Sequence, residues 1–229
     1  MKKLQQTWPF NPQKLPFFYG WIILAAATIG MVMSAPGQTI GVSVFTDILI
    51  DALGMSRVQI SLAYALGTIG SSLIVGRVGP LIDRYGVRPV ATLTALAFGV
   101  TLFGMSQIDR IANLLTSGDW VRRMQTGVRF GILVTGFLSM RFLGQGTITL
   151  SSRTMLMKWF DRFRGRVNSV MGIFVTLIFS GSPLVMELLI ERFTWRGAWI
   201  ALGLIAGPCF AVIVALFFRD NPRECGLHV

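Results

Sequence analysis

Gly79-Pro80-Leu81-Ile82-Asp83-Arg84-Tyr85-Gly86-Val87-Arg88 is a charged island between two apolar runs, residues 58–78 and 89–108. Each run has about the 20 residues a helix needs to cross a hydrocarbon core roughly 30 Å thick. Outward from it lie four more such runs, at residues 17–46, 130–152, 167–189 and 197–218. The fourth run in chain order carries a charge near its middle, Arg141. No strand-like alternation competes over any length. The pattern predicts an all-α membrane protein with six transmembrane helices.

Composition agrees. Of 229 residues, 53% are hydrophobic and only 14% charged, against about 25% charged in soluble domains. A water-soluble, disordered or disulfide-stapled chain is disfavoured. The net charge is +11, from 21 Lys and Arg against 10 Asp and Glu. These cations sit in short clusters between uncharged runs, which fits helix orientation better than a nucleic-acid surface. Cys209 and Cys225 form neither a metal spacing nor a convincing disulfide pair.

Lys2, Lys3 and Lys14 before an apolar run resemble a secretory signal. The run exceeds the 7–15 residues or so of a signal's apolar region, so it reads as a permanent helix kinked at Pro36-Gly37. Six crossings put both ends on one side. If that side is the cytoplasm, thirteen Lys and Arg lie inside, seven outside, and Arg141 in the membrane. This bias places residues 1–16 and 219–229 as cytoplasmic tails of a plasma (inner) membrane protein. The connection at 109–129 is longer than a hairpin needs. Ile111, Leu114 and Leu115 with Arg122-Arg123 predict a short interfacial helix there, or else a solvated loop.

The island has an echo. Ile190-Glu191-Arg192-Phe193-Thr194-Trp195-Arg196 begins 108 positions after Ile82 and repeats Ile, acid, Arg, aromatic, two variable positions, Arg. A match of seven positions arises by chance too. If it is a repeat, three crossings separate the copies, and an odd number inverts the second. Inverted three-helix repeats build a large class of secondary transporters.

The island also resembles the signature loop between helices two and three of the major facilitator superfamily, Gly-x-Leu-x-Asp-Arg-x-Gly-x-Arg. Arg141-Phe142-Leu143-Gly144-Gln145-Gly146 is similar to that family's Arg-x-x-Gly-x-Gly motif. Trp159-Phe160-Asp161-Arg162-Phe163-Arg164-Gly165-Arg166 resembles its basic loop before helix five. Pro16-Phe17-Phe18-Tyr19-Gly20-Trp21 and Arg219-Asp220-Asn221-Pro222-Arg223-Glu224-Cys225-Gly226-Leu227 look like the oxalate/formate antiporter and monocarboxylate transporter branch. Asn168-Ser169-Val170-Met171-Gly172 departs from it, having fewer small residues on helix five than the branch places there.

The resemblance implies half of a twelve-helix fold, ending where a central linker would begin. It implies alternating-access transport of a small organic anion such as a mono- or dicarboxylate, by exchange or with protons. The partners it implies are the lipid bilayer, the solute and a second six-helix half, from another chain, a second copy or lost sequence. The alternative is a truncated or split half that moves nothing unless that bundle is supplied.

Within this frame, Arg141 should face protein or water rather than lipid, since a mid-membrane charge costs roughly 2.5–3.5 kcal/mol. Arg141, Gln145, Thr149 and Ser152 share one helical face. Arg141 then either binds an anion or a coupled carboxylate, or is a structural arginine held by carbonyls. Ser34, Gln38 and Thr39 flank the predicted kink and either line a cavity or join helices. Tyr64 is a further cavity candidate, or packing. The third and sixth runs hold few polar groups and should face lipid.

By resemblance, Gly79, Asp83, Arg84, Gly86 and Arg88 form a gating loop that turns tightly and latches onto the opposing half, or else a simple positive-inside anchor. No catalytic constellation and no phosphate loop is present. His228 is penultimate, and Glu187 and Glu191 lack an acid–base partner. The chain reads as a non-enzyme without a cofactor.

Overall fold

The computed structural model describes residues 9, 11–116 and 125–227, and the regular structure among them is helical throughout. Lys2, Lys3, Arg122, Arg123 and His228 lie outside the described residues.

The first crossing opens with α1, Gly20–Met33. It stops where Pro36 arrives, because proline has no N–H to donate and its ring collides with the preceding turn. A 3₁₀ turn, Ala35–Gly37, bridges the gap, and the helix resumes as α2, Thr39–Val44, and α3, Thr46–Leu53. The second crossing, α4 (Arg57–Val75), starts from a capping box. The Ser56 hydroxyl accepts the Gln59 N–H at 3.2 Å while the Gln59 side chain accepts the Ser56 N–H at 2.8 Å.

After a step at Gly76-Arg77 follow α5, Val78–Tyr85, the third crossing α6, Val87–Ser106, and α7, Ile108–Leu115. The expected short helix after the third crossing is thus present as α7. The fourth crossing joins α8, Gln125–Met140, to α9, Thr149–Trp159, through a π-helical turn at Arg141–Ile148. The rest is α10, Arg164–Leu204, a π turn Ile205–Cys209 around Pro208, and α11, Phe210–Phe217.

Arg57–Val75, Val87–Ser106, Gln125–Trp159 and Arg164–Phe217 are each long and apolar enough to cross a membrane. The last holds 54 residues, about 80 Å if straight, far more than one crossing. It is not straight. Thr194 interrupts α10 with φ 63° and ψ 168°, so the stretch makes two crossings. With the broken first helix, this completes a six-helix all-α bundle.

The bundle is two inverted three-helix repeats. The offset of 108 that takes Ile82 to Ile190 also takes Gly86 to Thr194. Gly86 has φ 93° and ψ 157°, the same unusual region as Thr194. The offset takes Arg88 to Arg196 as well. Arg88, at the start of α6, donates to the Ala215 carbonyl near the end of α11. Arg196, near the start of the sixth crossing, donates to the Ser106 carbonyl at the end of α6 at 3.0 Å.

These reciprocal contacts require the third and sixth crossings to run antiparallel. They cross where Gly99 meets its own counterpart, Gly207. A Cβ on Gly99 would lie 2.8 Å from the Gly207 Cα and from the Gly203 carbonyl oxygen, the close backbone approach that small residues permit inside membranes.

Several expectations need correction. Gly79 does not turn the chain: it lies inside α5, and a Cβ there would meet nothing within 4 Å. The turn is made by Gly86 alone. Arg88 does not belong to an exposed loop, being 2% exposed and committed to the last crossing. Residues 219–227 pack partly against the bundle: Arg219, Asp220 and Cys225 are buried while Arg223 and Glu224 are exposed, and burial pushes the Cys225 thiol up to about 11. Asp220 accepts the Val87 N–H, and the Gln13 side chain donates to Gly226 O at 2.8 Å.

The third crossing also does not face lipid all round. Leu93, Val100 and Phe103 are exposed, whereas Ala95, Phe98, Gly99 and Leu102 are buried against neighbouring helices.

Candidate functional site

The break in the first helix and the π turn in the fourth face one another, and they are counterparts in the repeat, since Pro36 plus 108 is Gly144. A Cβ on Gly37 would meet the Met140 carbonyl at 2.5 Å and the Gly144 Cα at 3.1 Å. Both stretches depart from the α-helical ladder, so their peptide groups are not all used by regular turns. Single π turns inside α-helices recur at functional sites for that reason. Arg141 opens this one.

Arg141 is only 9% exposed. Its Nη1 donates to the Gly37 carbonyl at a long 3.5 Å, and its guanidinium carbon stands 5.2 Å from the centre of the Tyr64 ring. That ring is fixed edge-on against Phe137, with centroids 5.5 Å apart, and its hydroxyl meets the Thr39 hydroxyl at 2.8 Å. A cation over an aromatic face is held electrostatically without being neutralised. Among the described residues no carboxylate forms an ion pair with Arg141.

Ser34 is fully buried and donates to the Met31 carbonyl at 2.6 Å. Its oxygen accepts the Gln38 amide at 3.0 Å and the Thr149 hydroxyl at 3.4 Å. The neutral groups of the first helix are thereby linked to the polar face of the fourth. Gln145 Oε1 is buried with no partner among the described residues.

Between the second and fourth crossings opens a cleft of about 460 Å³. Arg141, Gln145, Thr149 and Arg153 line one side, and Thr68, Ser71 and Ser72 the other. Among the described residues the lining carries two guanidinium groups and no carboxylate, and none of it comes from the third or sixth crossing. It is an electropositive recess. Planar guanidinium groups bind carboxylates through paired hydrogen bonds.

The structure therefore brings Arg141, Gln145, Tyr64, Ser34 and Gln38 into one connected cluster. Sequence reasoning missed Thr68, Ser71, Ser72 and Arg153. The first three follow Tyr64 at helical spacing and were findable on that ground. Arg153 read as a loop cation because the fourth crossing was expected to end at 152, whereas α9 runs to Trp159.

Asp83 and Arg84 lie apart from this cluster, exposed at one end of the bundle. Asp83 stands 3.7 Å from Lys158 in a surface pair, an arrangement of little energetic weight.

The family model of the Major Facilitator Superfamily matches residues 22–225. The chain belongs to the Major Facilitator Superfamily. Comparison with curated proteins and with solved structures finds no match. Membership makes it a multi-pass membrane protein of a transporter family, and accounts for a charged face in the interior of a bundle whose lipid-facing side chains are apolar.

Proposed function

We propose that this bundle carries a small organic anion, a mono- or dicarboxylate, by alternating access in the inner membrane, with its ends on the cytoplasmic side. One observation carries the reading: the buried guanidinium of Arg141 has no carboxylate partner among the described residues and borders a cleft with a second arginine and no acid. An anion bound there supplies the missing charge. Tyr64 holds the guanidinium, and the Gln145 amide N–H offers a neutral hydrogen bond to orient the bound carboxylate. The oxalate/formate and monocarboxylate branch remains the narrower reading. Asp83 and Arg84 supply charges that a gate could use.

Proteoliposomes tested with labelled oxalate, formate and lactate provide the check. Uptake should appear for at least one and fall by two orders of magnitude or more in Arg141→Gln, because removing one partner of a charge pair in a desolvated site costs roughly 3–5 kcal/mol. Uptake unchanged in that variant would remove Arg141 from the path. Dependence on anion loaded inside separates exchange from co-transport with protons.

A second reading concerns the moving unit. The cleft is open, and its polar groups Ser72 and Arg153 are exposed. Polar groups cannot face acyl chains without large cost, so a second six-helix bundle must cover this side before transport occurs. Activity of the purified chain alone, at a mass corresponding to one copy, would overturn that requirement.

A further inference from the structure

A second cleft, of about 600 Å³, lies away from the Arg141 cluster, at the end of the bundle where the first crossing begins and α10 starts. Phe18, Trp21, Trp159 and Phe160 form its aromatic wall, with Leu24, Val167 and Val170 continuing along the helices. Trp21 is 60% exposed and Val170 41%, so the groove is open sideways. Its mouth is basic. Arg162 and Arg166 lie 5.9 and 5.7 Å from the Phe163 ring. Asp161 is engaged by Arg164 at 2.5 Å, and among the described residues no carboxylate pairs with Arg162 or Arg166.

The arrangement reads as three layers. Aliphatic side chains belong at acyl depth, aromatic rings at the headgroup boundary, and arginines at the level of lipid phosphates. A soluble anion would find the charges but no use for the apolar wall. A neutral lipid would find the wall but leave both arginines without a partner. We propose that this groove holds an anionic phospholipid, its headgroup between Arg162 and Arg166 and one acyl chain passing Trp21 to run along Leu24 and Val170. The site is independent of the solute cleft and stands or falls apart from any transport activity.

The test uses the whole chain purified in neutral detergent. Titration with phosphatidylglycerol, phosphatidylcholine and glycerol phosphate is followed by native mass spectrometry. Phosphatidylglycerol should bind at one site in clear preference to phosphatidylcholine. Replacing both Arg162 and Arg166 by Gln should erase about twenty-five-fold of that preference, since each arginine at an anionic surface contributes roughly a factor of five. The Arg57→Gln, Arg192→Gln pair, which removes equal charge elsewhere, should keep it.

A Val170→Trp variant leaves both arginines in place, so it tests the groove even where the double substitution disturbs folding. It should expel the lipid. Equal binding of the two lipids, competition by glycerol phosphate as effective as by lipid, retention of lipid in Val170→Trp, equal loss in the control pair, or no retained lipid at all would each overturn the proposal.

Discussion

The two ends of the bundle solve one problem with different residues. At the start of the third crossing the chain turns at Gly86, and at the equivalent point of the sixth it turns at Thr194. Both backbones sit near φ 60–90° with ψ close to 160°, a region in which side chains larger than hydrogen cost roughly 1–3 kcal/mol. Each turn is followed two residues later by an arginine that ties the third and sixth crossings together. Arg88 is buried beside Asp220, while Arg196 holds the Asp109 carboxylate through two bonds of 2.7 and 2.6 Å at a partly exposed site. The two copies share the geometry of this pairing and not its chemistry. What an inverted repeat preserves here is the backbone turn and the direction of the clasp.

The largest test of that comparison is to exchange the turn residues. Gly86→Thr places a Cβ against the Asp220 carboxylate, which already accepts the Val87 N–H. Backbone strain and the displaced carboxylate act together, so stability should fall by about 3 kcal/mol. Unfolding in mild detergent, followed by tryptophan fluorescence against denaturant, measures it. A change below about 1 kcal/mol would mean that the turn tolerates side chains in both copies, and the glycine would carry no structural information.

A smaller effect comes from the clasp at the opposite end. The hydrogen bonds from Arg196, reinforced by its charge, hold the Asp109 carboxyl below the usual carboxylate range. A group with a lowered native pKa stabilises the fold fully above its unfolded value of about 3.9. That contribution is lost as pH falls through the lower native value. Wild-type midpoints should therefore be flat from neutral pH to about 5 and then drop, with the Asp109 share of the drop absent in Asp109→Asn. Melting curves across pH decide it. Identical acid slopes in the two proteins would show that the clasp contributes nothing.

The sequence already held most of the architecture. Uncharged runs announce helices because a membrane admits few other elements, and the motif at Ile82 and Ile190 announced the repeat. Arg141, Gln145 and Tyr64 were legible because polar groups in apolar helices need a reason to be there. Arg88 was misplaced because the resemblance grouped it with the exposed charges of a gating loop, and only the packed end of α11 shows where its guanidinium goes. The π turn at Arg141–Ile148 was invisible, since no residue type demands a widened turn the way Pro36 demands a break. Gly79 misled for the opposite reason: glycine permits a turn without requiring one.

The smallest expected effect is the most discriminating between the copies. Thr194→Gly removes a β-branched side chain from a backbone region that only glycine occupies at ease. Thr194 is exposed, so the substitution loses little packing. Glycine gains from relief of the turn and loses through its more flexible unfolded chain, by roughly 0.5–1 kcal/mol. The balance should favour the variant by about 1 kcal/mol, read as a higher denaturant midpoint with an unchanged slope. Destabilisation instead would show that the Thr194 side chain holds the turn, and that the second copy fixes its bend by contacts where the first copy fixes it by the absence of a Cβ.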